Sequence, residues 1–394
     1  MWIRYFSDVR FPLERANGVQ AMETCHALAS RGHHVVLGVR PDTVQPSRDP
    51  FVFYGRPTLP TLAIERAYVA GPPSVRRALY FTYALERAVL HRADIILTRD
   101  LGVASMVLRL PRSCRPPMVF ESHGFSPVFA ETMDELVSGG RPANRIKQRR
   151  LFNREARVWK QADGYVTTTQ TLADELEIRF GPRRNAIVVP NGVRSSPGRQ
   201  FARPCPRDVP VVMYAGHLYP WKGVDVLLHA VSRLSKVKAV IVGGHPMEAD
   251  IDRLRNVARI LGISDRVDFT GMLPLEEVPM MLASADVLVL PTTSTVSADR
   301  YTSPLKLFEY LMAGKPLVAS NLQATREVLE DGRNAILVTP SDVDALTEGI
   351  RRVVTELPLA ARIAQNAFDD ASWYTWERRA EKIDRLLSRV RASV

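Results

Sequence analysis

Short apolar runs alternate with stretches of helical periodicity along the chain, and they fall into two successive series. In the first half, strands are predicted at Trp2–Phe6, His34–Val39, Asp94–Thr98, Met118–Glu121, Tyr165–Thr169 and Ile187–Val189. Between them, apolar residues at helical spacing mark Val19–Ser30, Ser74–His91, Asn144–Gln161 and Leu172–Phe180. A Pro-, Arg- and Ser-rich stretch from Arg194 to Arg207 reads as a linker. The alternation then restarts. Strands are predicted at Val211–Ala215, Ala239–Val242, Val267–Thr270, Val287–Leu290, Leu317–Ala319 and Ile336–Val338. Helices are predicted at Val224–Leu234, Ala249–Leu261, Leu275–Ser284 and Val343–Leu357. Strands interleaved with helices imply βαβ units and parallel sheets, so the fold class is α/β. The reading is two doubly wound domains, 1–200 and 201–372, with an amphipathic tail helix in 373–394 that packs back on the first. Ligands of such folds sit beyond the carboxyl ends of the strands, which makes the cleft between domains the expected site.

Length and composition agree with this organisation. A chain of 394 residues exceeds one ordinary core. Its 46% apolar and 24% charged content is that of a globular protein rather than a disordered one. No apolar stretch approaches membrane-spanning length, and Met1 to Arg10 lacks a signal-peptide core. Cys25, Cys114 and Cys205 are widely separated and read as reduced, packed thiols of a cytoplasmic protein. The formal charge of +11 calls for an anionic partner. Part of that excess is concentrated in Arg141–Arg157, which fits either a solvated basic helix or a peripheral contact with an anionic membrane surface. No nucleic-acid reader motif accompanies it, so no nucleic-acid partner is expected.

The run from Thr302 to Pro316 carries the most chemistry. Ser303 is a natural N-cap, Pro304 suits the first helical position, and Gly314 followed by Pro316 is a stop. A strand at Val287–Leu290, a polar loop and then a capped helix is how open α/β folds present bare N–H groups to a phosphate. Glu309 shares a helix face with Leu305 and Lys306 and could accept from a pair of sugar hydroxyls. The same pattern also fits a core helix with a solvated Lys306–Glu309 pair.

Other candidates lie at strand ends. Gly216 closes the strand Val211–Ala215, and Lys222 falls where the next helix begins. A cation at the positive end of a helix is unfavourable by ~0.3–1 kcal/mol, which a bound diphosphate or a pairing with Asp225 would offset. His217 could contact a phosphate or serve a structural role. Glu121 and His123 end the strand Met118–Glu121, where His123 could reach a sugar or satisfy a loop carbonyl. Ala16–Val19, with Gly18, offers N–H groups ahead of the first long helix. There is no G-x-G-x-x-G, Walker, G-x-S-x-G or H-E-x-x-H motif. Two Asp-x-Asp pairs, Asp250/Asp252 and Asp342/Asp344, fall in or at the start of predicted helices, so no catalytic metal and no cofactor is expected.

Taken in order, these segments resemble the family-4 (group 1) retaining glycosyltransferases. The resemblance rests on Tyr214–Leu218 with Lys222–Gly223, on Ile241–Gly244, on Val267–Gly271, on Ser303–Pro316 and on Pro190–Val193. It implies the GT-B architecture of two Rossmann-like domains around an interdomain cleft. It also implies a nucleotide-sugar donor, a carbohydrate or lipid-linked acceptor, and transfer with retention of anomeric configuration. By that resemblance Lys222 contacts the donor diphosphate and Glu309 the ribose hydroxyls. The backbone at Ser303, Leu305 and Lys306 meets the phosphates, and the segments at Gly244 and Met272 hold the base. His123 corresponds to a histidine near the transferred sugar, and Gly18 to a glycine loop on the acceptor side, with Glu121 beside it. The chain departs from the family twice. The first of the paired glutamates falls at Tyr301, with Asp299 as a nearby substitute, and the usual arginine partner of the lysine is His217. An epimerase of the same architecture, or a nucleotide-sugar-binding protein without catalysis, would share most of these residues.

Overall fold

The computed structural model describes residues 1–90, 93–136, 140–196, 201, 207–245 and 249–393. The chain forms two compact units. One contains Met1–Pro127, Asn144–Asn191 and Trp376–Val394, and the other contains Val128–Ala143 and Gly192–Thr375.

The first unit is built on seven strands: β1 (Trp2–Arg10), β2 (His34–Arg40), β3 (Leu62–Arg66), β4 (Ile95–Thr98), β5 (Met118–Ser122), β6 (Gly164–Thr167) and β7 (Ala186–Val188). They pair in the order β3-β2-β1-β4-β5-β6-β7, with every neighbouring pair parallel. β4, β5 and β6 are buried along their whole length, as central parallel strands covered on both faces must be. The first strand enters beside the second in simple register, from Trp2 opposite His34 to Phe6 opposite Gly38. The tail helix Trp376–Ala392 belongs to this unit, and it packs on the helix Ala16–Ser30 and on β6. Gly164 of β6 is what admits it, since a Cβ there would come within 2.9 Å of Val390.

The second unit repeats the plan with β8 (Val211–Ala215), β9 (Lys238–Val242), β10 (Val267–Gly271), β11 (Val287–Leu290), β12 (Leu317–Ser320) and β13 (Ile336–Val338). Their order is β10-β9-β8-β11-β12-β13, again all parallel. Alternate residues of β8 face opposite cores. Val212 and Tyr214 join one with the helix Val224–Ser232, while Met213 and Ala215 join the other with the helix Leu305–Ala313. In both sheets the order reverses between the first and fourth strands, and that switch point is where the strand ends splay around a ligand. Among the described residues no helix is long and apolar enough to cross a membrane.

Three details differ from the expected elements. β3 and the helices Leu101–Val107 and Leu357–Ala371 were not anticipated, nor were several short helices, among them Val296–Arg300, which Thr295 caps inside the stretch expected to be a polar loop after β11. The helix expected to run from Val343 through Leu357 stops at Thr355, where Glu356 takes non-helical dihedrals and a second helix starts with Pro358 in its first turn. The helix expected to be capped by Ser303 begins one residue later than predicted, with Pro304 in the cap position and Leu305 as its first residue. The stop at Gly314 is as read, in the left-handed conformation.

Candidate functional site

In the second unit the candidate residues gather at the carboxyl ends of β8, β9 and β11. Gly216 follows β8, and its N–H donates to the Val242 carbonyl at 2.8 Å. A Cβ on Gly216 would lie 2.4 Å from Lys306 Nζ, so the glycine makes the space in which that lysine side chain lies. Lys306 itself is buried, at 8% exposure, which excludes the solvated Lys306–Glu309 pair. Its ammonium sits 3.8 Å from the centre of the Tyr214 ring and donates to Tyr214 Oη. Tyr214 Oη in turn donates to the His217 carbonyl at 2.5 Å.

Lys222 ends the short 3-10 turn Pro220–Lys222, ahead of the helix Val224–Ser232, and its ammonium lies 3.4 Å from the centre of the Trp221 ring. Burial lowers its pKa to about 7. Burial depresses Lys306 too, and the neighbouring Lys222 charge pushes it further down against the pull of Glu309. Among the described residues, neither lysine has a carboxylate within ion-pair distance. Burial lowers both groups, and the Lys222 charge lowers Lys306 further, so an anion beside them would offset a cost that the fold leaves standing.

His217 is stacked flat on Tyr219, with ring centres 5.1 Å apart. Glu309 is half-buried on the helix of Lys306. Gly244, after β9, packs on Leu218, and Met272, after Gly271, is exposed. Tyr301, at the position of the family's first glutamate, is fully buried and faces the Phe129 ring at 6.2 Å. Asp299 does not replace that glutamate freely, because its Oδ1 accepts from the Gln323 N–H at 2.9 Å. The two Asp-x-Asp pairs lie at helix starts, where Asp342 accepts from the Ala345 N–H.

In the first unit, β5 delivers Glu121 and His123 to its carboxyl end. Glu121 is completely buried. Its Oε1 accepts from Gln20 Nε2 at 2.7 Å, from His123 Nε2 at 2.6 Å, and from Arg379 of the tail helix. Arg379 also donates to Thr24 Oγ1 at 2.9 Å and to the Pro190 carbonyl at 3.2 Å. Arg99 braces the other end of Gln20, donating to its Oε1 at 2.7 Å. Burial alone would raise the Glu121 pKa, but Arg379, His123 and Arg99 outweigh it and hold the carboxyl well below the usual range. Burial and Arg99 lower His123 to about 4, against the opposing pull of Glu121. Near neutrality the imidazole is therefore uncharged. Its Nε2–H is committed to an ionised carboxylate, which leaves Nδ1 as an acceptor for a hydroxyl.

Glu121 is therefore not exposed for the acceptor contact expected of it, and its carboxylate instead hydrogen-bonds His123, Gln20 and Arg379 within the first unit. Gly18 lies inside the first turn of the helix Ala16–Ser30, not ahead of it. A Cβ there would come within 2.5 Å of the Leu13 carbonyl and of Tyr54 Oη, so packing alone demands a glycine. Sequence reasoning missed Gln20, Arg99 and Arg379 entirely. The side chain of Lys306 was read only as half of a solvated pair with Glu309, and its backbone as part of a helix start.

A family profile described as Glycosyl transferases group 1 matches residues 209–356, and one described as Glycosyl transferase 4-like domain matches residues 17–192. The D-inositol 3-phosphate glycosyltransferase of Stackebrandtia nassauensis is 29% identical over 247 residues, 58% of this chain and 54% of that one. The GDP-mannose-dependent alpha-(1-6)-phosphatidylinositol monomannoside mannosyltransferase of Mycolicibacterium smegmatis is also 29% identical over 247 residues, 59% of this chain and 64% of its own. The chain thus spans between about half and two thirds of the length of these relatives. Among solved structures, HepE of Anabaena in complex with UDP-glucose superposes with a TM-score of 0.73 at 19% identity, covering 98% of this chain and 99% of that one.

Proposed function

The chain belongs to the family-4 (group 1) glycosyltransferases of the GT-B fold, and from that premise we propose that it moves a sugar from a nucleotide-sugar donor to an acceptor hydroxyl with retention at the anomeric carbon. The observation that carries this reading is the partly buried ammonium of Lys222 and the buried ammonium of Lys306, neither of them in an ion pair among the described residues, in the segments that follow β8 and β11. They are the groups to neutralise a departing nucleoside diphosphate, whose negative charge grows as the bond to the sugar breaks. Lys306 takes the place of the family arginine in this scheme, while His217, stacked on Tyr219, contributes its backbone carbonyl to the support of Tyr214.

In the transfer step the bond between the anomeric carbon and the diphosphate oxygen breaks, and a bond to the acceptor oxygen forms on the same face of the sugar. The acceptor proton passes to the departing diphosphate. Glu121 and His123 offer no pair of free carboxylates, so the reading involves no glycosyl-enzyme intermediate. The neutral His123, oriented by Glu121, accepts a hydrogen bond from a sugar hydroxyl through Nδ1 and positions the transferred group. Charge neutralisation by lysines makes the reaction independent of a divalent metal, and EDTA leaves the rate unchanged. A carbohydrate or lipid-linked acceptor fits the names of the relatives, as does a nucleotide-sugar donor.

The experiment is a matrix of UDP-, GDP- and ADP-sugars against glycan, polyol and lipid-linked acceptors. Acceptor-dependent release of one nucleoside diphosphate, with the anomeric proton coupling of the product matching that of the donor, supports the proposal. Conversion of the donor sugar without any acceptor, or an inverted product, contradicts it.

A further inference from the structure

The first unit also carries a cluster of cations that shares no residue with those assigned above. The helix Arg145–Gln161 carries seven basic side chains and a single carboxylate, Glu155, which is buried and accepts from the Ser126 N–H. Arg149, Arg150, Arg154 and Arg157 of this helix converge with Arg109, which follows the helix Leu101–Val107. Together with Ile146 and Asn153 they line a cavity of about 520 Å³. That volume lies within the ~300–1,000 Å³ typical of small-molecule sites.

The charge in this cavity is not compensated by the protein. Several other arginines of the unit are matched to carboxylates, as in Arg4–Glu65, Arg48–Asp42, Arg56–Glu23 and Arg115–Asp163. Among the described residues, Arg109, Arg149, Arg150 and Arg154 have no such partner, and Arg157 reaches only Ser105 Oγ at 3.3 Å. The nearest carboxylate felt by Arg154 is Asp100, which already caps a helix through the Val103 N–H and pairs with Arg77 at 3.6 Å. Burial and the facing charges of Arg77, Arg150 and Arg109 all act against Arg154 holding its proton. A fold does not gather like charges around a hollow without cost, and an anion in the hollow removes that cost.

We propose that this cavity binds a ligand bearing clustered phosphate groups. Guanidinium forks match phosphate oxygens two at a time, and several forks around one hollow suit more than one phosphate. Ile146, 73% exposed at the rim, adds an apolar edge beside the charges. Phosphates are clustered in this way at the surface of an anionic phospholipid bilayer, where headgroups stand side by side, and in a soluble polyphosphate compound. The cavity is lined by residues of the first unit alone and does not depend on the donor reading.

The test uses the full chain and the triple variant Arg149→Gln/Arg150→Gln/Arg154→Gln, with far-UV circular dichroism confirming that both are folded. Two probes are applied at ~0.15 M salt, where unspecific surface attraction is screened. One is inorganic tripolyphosphate, followed by calorimetry in a Lys222→Ala background so that the donor site cannot account for the heat. The other is co-sedimentation with vesicles containing phosphatidylglycerol, compared with phosphatidylcholine alone. The expected result is binding of at least one probe, weakened about tenfold or more in the triple variant, as the loss of several charge-assisted hydrogen bonds requires. Vesicle binding without tripolyphosphate binding assigns the site to lipid headgroups, and the reverse assigns it to a soluble phosphate compound. Absence of both, or equal binding by the triple variant, overturns the proposal.

Discussion

Arg379 of the tail helix donates to Glu121 Oε1, the same oxygen that holds His123 Nε2 at 2.6 Å, so a residue near the end of the chain orients the imidazole at the end of β5. The pairing is buried on both sides, with Arg379 at 3% exposure and Glu121 at 0%. A guanidinium in that position makes three distinct contacts, to Glu121, Thr24 and the Pro190 carbonyl, which an ammonium on a single stem cannot reproduce.

Arg379→Met leaves Glu121 ionised and buried without its cation, a change that costs about 3–5 kcal/mol in such pairs. Both Glu121 and His123 are held down by the Arg379 charge, and the other charged group facing them is Arg99. Removing Arg379 therefore raises the His123 pKa from about 4. The acidic limb of the kcat/KM profile for transfer moves to higher pH in Arg379→Met, and less so in Arg379→Lys, which keeps the charge. A role in folding alone would lower the amount of active enzyme and leave the limb in place.

Lys222 works against stability. Unfolded, it keeps its proton to about pH 10.4, whereas in the folded unit it loses it near 7. Between those values the unfolded chain binds more protons, so the contribution to stability rises with pH across that window and is lost as pH falls towards 7. Lys222→Met removes the penalty. At pH 7 the variant melts higher than the wild type, by about 2–4 °C for each kcal/mol relieved, while donor turnover collapses. Diphosphate binding also draws a proton onto the lysine pair near pH 8. Calorimetric heats measured in buffers of different ionisation enthalpy give a net proton uptake in the wild type and a smaller one in Lys222→Met.

Glu155 acts in the opposite sense. Burial raises its pKa to about 7, with one oxygen accepting from the Ser126 N–H and Oε2 unpartnered among the described residues. The folded state holds this proton after the unfolded state has released it. The resulting stability is full below the ordinary glutamate value and lost as pH rises through 7. Glu155→Gln keeps the acceptor for Ser126 and cannot ionise. The difference in melting temperature between variant and wild type grows from pH 5 to pH 8 in favour of glutamine. A constant difference contradicts the assignment.

The strands that carry the candidate site were legible because central parallel strands are apolar runs, such as Val287–Leu290, buried on all sides. β3 was not, since Leu62-Ala-Ile-Glu-Arg66 is an edge strand whose mixed burial blurs any apolar run. The helix Leu357–Ala371 was hidden because its start abuts the preceding helix and its Pro358 reads equally as a stop. At the site, His123 and Lys222 stood out through their places at strand and helix ends. Arg379 did not, because its partner Glu121 is 258 positions away and only the return of the tail helix joins them. Lys306 looked like half of a surface pair at i,i+3 spacing with Glu309. Its burial against Gly216 and Tyr214 is a tertiary fact that helical spacing does not contain.

The central claim is that Lys222 and Lys306 at the end of β8 form the seat of the donor diphosphate. Titration of UDP, GDP and ADP into the wild type, Lys222→Met and Lys306→Met tests it directly, with the melting curves of all three proteins as the check on folding. The account predicts that one nucleoside diphosphate binds the wild type and that each substitution weakens it by about 1.5–3 kcal/mol, the worth of a hydrogen bond to a charged group. Equal affinity in all three folded proteins, or no binding of any diphosphate by the wild type, contradicts it.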